Sequence, residues 1–204
     1  MLGLPTATEL NKQLPKKAIY AKFQMNTAAK DRFDADISRI SIVGEISPRT
    51  VGISAGESIA SIFVLLVSLK HKGFQVNTIA QISKLIDQNM LLVLEHEEQR
   101  KLAIYHTKLI QTDWLPADNC FITLKGLDLN SVWENLITQI GGITIQQGNT
   151  LDQQIVADEK QAKLEKEIAR LEKLARAEKQ PKKKFELVQQ INRLRSEGGA
   201  QWKD

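Results

Sequence analysis

Ser61-Ile62-Phe63-Val64-Leu65-Leu66-Val67-Ser68-Leu69 is apolar without alternation and rich in β-branched residues. Such a run predicts a central strand covered on both faces, hence a sheet with helices packed on it. Upstream, Asp36-Ile37-Ser38-Arg39-Ile40-Ser41-Ile42-Val43-Gly44-Glu45-Ile46 sets isoleucines against polar or small residues at period two, the pattern of a half-buried strand. Ser47-Pro48-Arg49-Thr50 carries turn chemistry, and 51–53 reads as a further short strand. Downstream, Lys70-His71-Lys72-Gly73 closes the apolar run. Asn77 or Thr78 then caps a helix whose stripe is Ile79, Ile82, Leu85 and Ile86, ended by Asn89.

Further out, strands are expected at 90–94 and 101–110, joined across the polar loop Glu95-His96-Glu97-Glu98-Gln99-Arg100. Pro116-Ala117-Asp118-Asn119 reads as a turn and 120–124 as an edge strand. A helix over 129–140 has Asp128 as its cap, Trp133, Leu136, Ile137 and Ile140 on one face, and Gly141-Gly142 as its stop. At the other end, Thr6 with Glu9 has capping-box spacing and predicts a short helix over 6–14, ended by Pro15. Residues 16–33 read as helix. The alternation of helices and strands predicts an α+β fold with a mostly antiparallel sheet.

From Thr150 the composition changes. Residues 158–197 lack glycine and are dense in Glu, Lys, Leu and Ala. Leu164, Ile168, Leu171 and Ala175 recur at coiled-coil seam spacing. Pro181 breaks a continuous helix but fits the first turn of a second one, whose stripe is Leu187, Ile191 and Leu194. The reading is a globular domain over 1–149 and a C-terminal antiparallel helical hairpin over 150–204, hinged near Pro181.

Composition excludes several function classes. One cysteine, Cys120, allows no intramolecular disulfide and no multi-cysteine zinc site. The longest apolar run, 62–67, falls far short of the roughly 20 residues that span a bilayer, and no secretory signal is evident, so a cytoplasmic, membrane-free protein is expected. The formal charge of +4 is concentrated late, with 13 Lys/Arg against 10 Asp/Glu in 151–204. The densest positive patch is Lys182, Lys183 and Lys184, with Lys179, Arg193 and Arg195 nearby; it reads first as a solubilising helix tip and second as a candidate for phosphate contact with DNA or RNA. Leu187, Ile191 and Leu194 are the candidate docking residues for a protein partner.

Catalytic signatures are missing where chemistry would need them. No HExxH, CxxC, GxSxG or GxxxxGK[ST] occurs, so no cofactor or metal is expected. His96 beside Glu95, Glu97 and Glu98 reads as a charged hairpin loop, His106 as a strand residue, and Cys120 as a structural thiol. One near-miss stands out. Restriction-type nucleases set an acid on one strand and Glu-x-Lys on the next, so that carboxylates hold Mg²⁺. Here Asp34 and Asp36 are expected to open one strand and Ser68-Leu69-Lys70 to end the next, with serine where the second carboxylate belongs.

Several corners of the chain carry a family likeness. They are Leu4-Pro5 to Leu14-Pro15-Lys16-Lys17, the Tyr20…Phe23 pair, Ile40-Ser41-Ile42 and the run from Phe63 to Lys70. Ile86-Asp87-Gln88-Asn89-Met90-Leu91 and Leu127-Asp128-Leu129…Trp133-Glu134 add to them. Over nearly its whole length the chain resembles a bacterial family catalogued as a domain of unknown function. That resemblance implies gene neighbours of the SNF2-helicase and DNA-methyltransferase kinds, in restriction-like or anti-phage clusters. It supplies no active-site residues. Three functions follow as expectations: a non-enzymatic accessory subunit docking a helicase or methyltransferase, a degenerate metal-dependent nuclease-like domain acting on DNA (with Asp34, Asp36, Glu45 and Glu57 as acids), and a homo-oligomeric scaffold built through 155–195.

Overall fold

The computed structural model describes residues 1–199, with side chains through Ser196. In chain order its strands are β1 (Glu9–Leu14), β2 (Ile37–Ile46), β3 (Ile62–Leu69), β4 (Asn89–His96), β5 (Gln99–Tyr105), β6 (Leu109–Gln111) and β7 (Leu115–Pro116). The helices are α1 (Lys16–Lys22), α2 (Thr27–Asp36), α3 (Pro48–Val51), α4 (Val76–Ile82), α5 (Leu129–Gly141), α6 (Leu151–Ala177) and α7 (Pro181–Gly199). Two compact units result, Met1–Ile143 and the chain from Thr144 onward.

The first unit is built on a sheet ordered β1-β2-β3-β4-β5-β6, with β7 also pairing β5. As its apolar run predicts, β3 is central. It is antiparallel to β2 (Ile40↔Val67) and parallel to β4 (Val64↔Leu91), and it buries Ile62, Val64, Leu65, Val67 and Leu69. The parallel pair needs a crossover, which runs through α4. The remaining pairings are antiparallel.

Both faces of the sheet are covered. Ile40, Leu65, Val67, Leu92 and Leu94 pack with Ile19 of α1, Phe33 of α2 and Ile79 and Ile82 of α4, and Tyr20 meets Phe33 edge-to-face at 5.8 Å. Leu91 and Val93 alternate to the other face and are fully buried, as is Ile104, the cross-strand partner of Leu91. α5 lies on that side: a Cβ added to its Gly141 would stand 3.0 Å from Ile110, which pairs with Ile104. Asp128 caps α5 by accepting from the Ser131 amide, and Gly142 (φ 59) ends it, both as expected.

Several local expectations are corrected. Residues 9–14 form an edge strand, not a helix. Thr6–Thr8 is a single 3-10 turn in which the Thr8 hydroxyl donates to Pro5 O at 2.7 Å, and the following backbone pairs with β2. Almost all β1 side chains are exposed, as suits a lysine-bearing edge. The expected strand at 51–53 is instead the end of α3, where the Ser47–Thr50 capping box and Gly52 (φ 69) close one helical turn. α4 starts at Val76 without a side-chain cap and stops at Ile82; Leu85 and Ile86 reach the core from the turns that follow. The hairpin between β4 and β5 turns on Glu97 and Glu98 alone, with His96 opposite Gln99 and Glu97 at φ 53. The strand expected over 101–110 is broken into β5 and β6, and 120–124 is irregular.

The second unit is a helical hairpin. Thr150 and Gln153 form a capping box at the start of α6, and Pro181 opens α7. Leu171, Ala175 and Ile191 make a buried seam with Ile168, Leu187 and Leu194. Arg195 bridges to Glu172 at 2.6 Å across the two helices. Residues 200–204 of the expected hairpin domain lie outside the described residues. No helix of the described residues is long and apolar enough to cross a membrane.

Candidate functional site

The nuclease near-miss falls where α2 runs without a linker into β2. Asp34 and Asp36 therefore close a helix rather than open a strand. Carboxylates at a helix C-terminus oppose its dipole, so each needs a partner. Lys16 Nζ and Tyr20 OH both donate to Asp34 Oδ1 at 2.6 Å, and the same Lys16 also donates to Ile37 O at 2.6 Å. The hydrogen bond from Lys16, that from Tyr20 and the nearby positive charge of Lys70 hold the Asp34 carboxyl below the usual carboxylate range. Partial burial, reinforced by the hydrogen bond and charge of Asp34, pushes the Tyr20 hydroxyl up to about 12.

Asp36 is nearly buried and is spent differently. Its Oδ2 accepts from the Gln75 amide at 3.1 Å, and its Oδ1 lies 3.3 Å from His71 Nε2. Its carbonyl accepts from the Lys70 amide at 2.9 Å. Asp36 thus ties the 70–75 loop to the start of β2. Ser68 sits beside Glu95 in the parallel β3–β4 register, and both Nε and Nη2 of Arg100 reach Glu95 Oε2 at 2.9 Å. His96 Nδ1 faces Leu69 O at 3.4 Å. Among the described residues no group of three or more His, Cys, Asp or Glu side chains could hold a metal ion. His106 lies in the turn between β5 and β6. Cys120 is buried, and burial pushes its thiol up against the opposing pull of Arg100. That makes it a poor nucleophile.

In the hairpin, the basic residues singled out by sequence divide into two groups. Lys182, Lys183 and Lys184 form the first turn of α7 and are exposed; Lys179 lies in the connection before them, and Lys173 and Arg176 are at the end of α6. Arg193 and Arg195 lie about three turns further along α7, and Arg195 is paired with Glu172. Leu187, Ile191 and Leu194, the expected docking residues, pack into the seam against α6. A depression of about 700 Å³ at the hairpin end has Leu174, Leu187, Lys179, Lys183 and the acids Glu178 and Glu186 among its lining residues. Lys173, Arg176 and Leu174 were not among the candidate site residues read from sequence, where the patch was centred on the run of three lysines.

The profile of a family described as Domain of unknown function (DUF4391) matches residues 2–197. The chain belongs to that family. The match runs through both compact units, so the sheet unit and the hairpin together are the family's unit of structure. No curated protein and no solved structure matches the chain.

Proposed function

We propose that this DUF4391 protein is a non-enzymatic accessory subunit of a bacterial restriction-like or anti-phage assembly, docking a helicase or DNA methyltransferase through its helical hairpin. The observation that carries the docking surface is apolar area left over once the seam is filled. Val156 is 64% exposed, Leu174 47% and Val188 40%, on helices whose seam residues are already engaged with each other. Burying such side chains stabilises a complex by roughly 25 cal/mol per Å² before association costs. The partner class rests on the gene neighbourhood that the family resemblance implies. The non-enzymatic part is supported by the acids themselves: Asp34 is engaged by Lys16 and Tyr20, Asp36 by Gln75 and His71, and Glu95 by Arg100.

A nuclease-like reading has one observation in its favour. The fold brings Asp36 and Lys70 together at one end of β2 and β3. Two measurements separate the readings. Tagged protein recovered from its native host should carry a helicase or methyltransferase, identified by mass, and Leu174→Glu with Val188→Glu should release it. Recovery of untagged copies of the chain alone would favour the homo-oligomeric scaffold instead. Purified protein should leave linear, circular and single-stranded DNA intact in Mg²⁺ or Mn²⁺. Cleavage that disappears in a folded Asp36→Asn variant would make the nuclease reading the correct one.

A further inference from the structure

Charge is distributed along this chain in a way that the docking surface does not use. The twelve residues 173–184 hold six basic side chains (Lys173, Arg176, Lys179, Lys182, Lys183, Lys184) against one acid, Glu178, a balance of +5. The whole chain carries +4, so everything outside this segment is net negative by one. The segment is the end of α6, the connection and the first turn of α7, so the fold gathers all six cations at one end of the hairpin. Arg176 lies 3.7 Å from Glu172, and Glu178 and Glu186 are the acids nearest the others in sequence.

The three lysines also stand in an unfavourable place. They follow Pro181 directly, so they occupy the first turn of a helix of 19 residues, and that turn contains no acid. The N-terminal end of a helix carries a positive partial charge and favours acidic side chains by about 0.3–1 kcal/mol each. Three cations there, with two more at the end of α6 and Lys179 in the connection, lower the stability of the hairpin unless an anion approaches. Local rules are broken in this manner where a ligand compensates. Phe185 adds a second feature: it follows the three lysines directly and is 62% exposed, outside the seam. An aromatic face presented to water between cations is what an unpaired base stacks on, with the cations tracking the phosphates.

We infer that the hairpin end binds single-stranded nucleic acid, with Lys182, Lys183, Lys184 and the cations of the connection and the end of α6 on successive phosphates and Phe185 stacked on a base. A duplex offers the same phosphates but keeps its bases paired, so it gains the electrostatic part alone. An anionic membrane would also attract the lysines, but it needs a continuous apolar face to insert, and α7 has committed Leu187, Ile191 and Leu194 to the seam.

The test uses the full chain and a fluorescent oligothymidylate, its oligouridylate counterpart and a duplex of the same length, read by anisotropy across a salt series. The single strands should bind more tightly than the duplex. The combined Lys182→Ala, Lys183→Ala and Lys184→Ala variant should lose affinity for every probe. Its slope of log affinity against log salt should shrink by about 0.7 per single-strand phosphate contact removed. Phe185→Ala should weaken the single strands by roughly 5- to 100-fold without changing the salt slope or the duplex affinity, and Phe185→Trp should restore binding. All four positions are exposed, so each variant should keep an intact hairpin, which circular dichroism of each checks. The proposal is overturned if the single strands do not bind at low salt, or if Phe185→Ala weakens duplex and single strand alike. Binding to phosphatidylserine vesicles without binding to the oligonucleotides would overturn it too.

Discussion

Tyr20 and Lys16 share one carboxylate oxygen, and neither partnership can be read from spacing, since Asp34 lies 14 and 18 residues away. Only the packing of α1 against α2 sets them side by side. The arrangement has a pH signature. The folded Tyr20 hydroxyl is raised from its ordinary 10.0 to about 12, because burial and Asp34 disfavour the phenolate. A raised folded value means stabilisation that is fully present below pH 10 and lost as pH climbs through 12. Tyr20→Phe should therefore remove the fall in stability across that window relative to the parent. At neutral pH it should cost about 0.5–1.5 kcal/mol, a typical hydrogen bond. Urea unfolding of both proteins from pH 7 to 12 is the measurement, and parallel curves throughout would refute the coupling. The acids Asp34 and Asp36 were visible in the sequence as a candidate pair. Their engagement was not, because it depends on a helix running straight into a strand and on a loop returning from β3.

At the level of elements, the hairpin was the most legible part of the chain. Seam spacing in α6, the proline at 181 and the stripe of α7 each point to the same antiparallel pair, and the structure pairs Leu171 and Ala175 with Ile191. Hydrophobic burial, not the ion pairs, holds it. Ile191→Ala should destabilise the hairpin by about 2–5 kcal/mol, the range for deleting buried methylenes. Arg195→Ala removes a bridge whose arginine side chain is 59% exposed and should cost less than about 1 kcal/mol. Thermal melts followed by circular dichroism would rank the two, and an Arg195 effect equal to that of Ile191 would show that charge dominates. The opposite case is β1. Thr6 and Glu9 have helix-start spacing, yet the chain makes a strand there, because the exposed edge of β2 supplies a ladder to Glu9–Leu14. A local signal loses when a neighbouring edge can satisfy six residues of backbone. The helix expected to Ile86 ends at Ile82 for a related reason: Leu85 and Ile86 reach the core without further helical turns.

For the whole molecule, the sheet unit has its own core on both faces, with Phe33, Ile79 and Ile82 on one side and the buried stripe of α5 near Ile110. A chain ended after Ile143 should therefore keep a single cooperative thermal transition and a strand-rich dichroism spectrum. A broad, non-cooperative melt would show that the sheet needs the hairpin to fold. The sequence alone determined the class: a central apolar strand, a period-two neighbour, a capped helix before Gly141-Gly142 and a helical hairpin broken at Pro181. Those features follow from periodicity, capping and proline geometry, all set within a few residues. Tertiary structure alone decided the order of the strands, the parallel pairing of β3 with β4, and the pairing of Asp34 with Lys16 and Tyr20. Each of these joins residues far apart in the chain. Which distant groups meet is fixed by how whole elements bury their apolar faces together, and no local pattern encodes that.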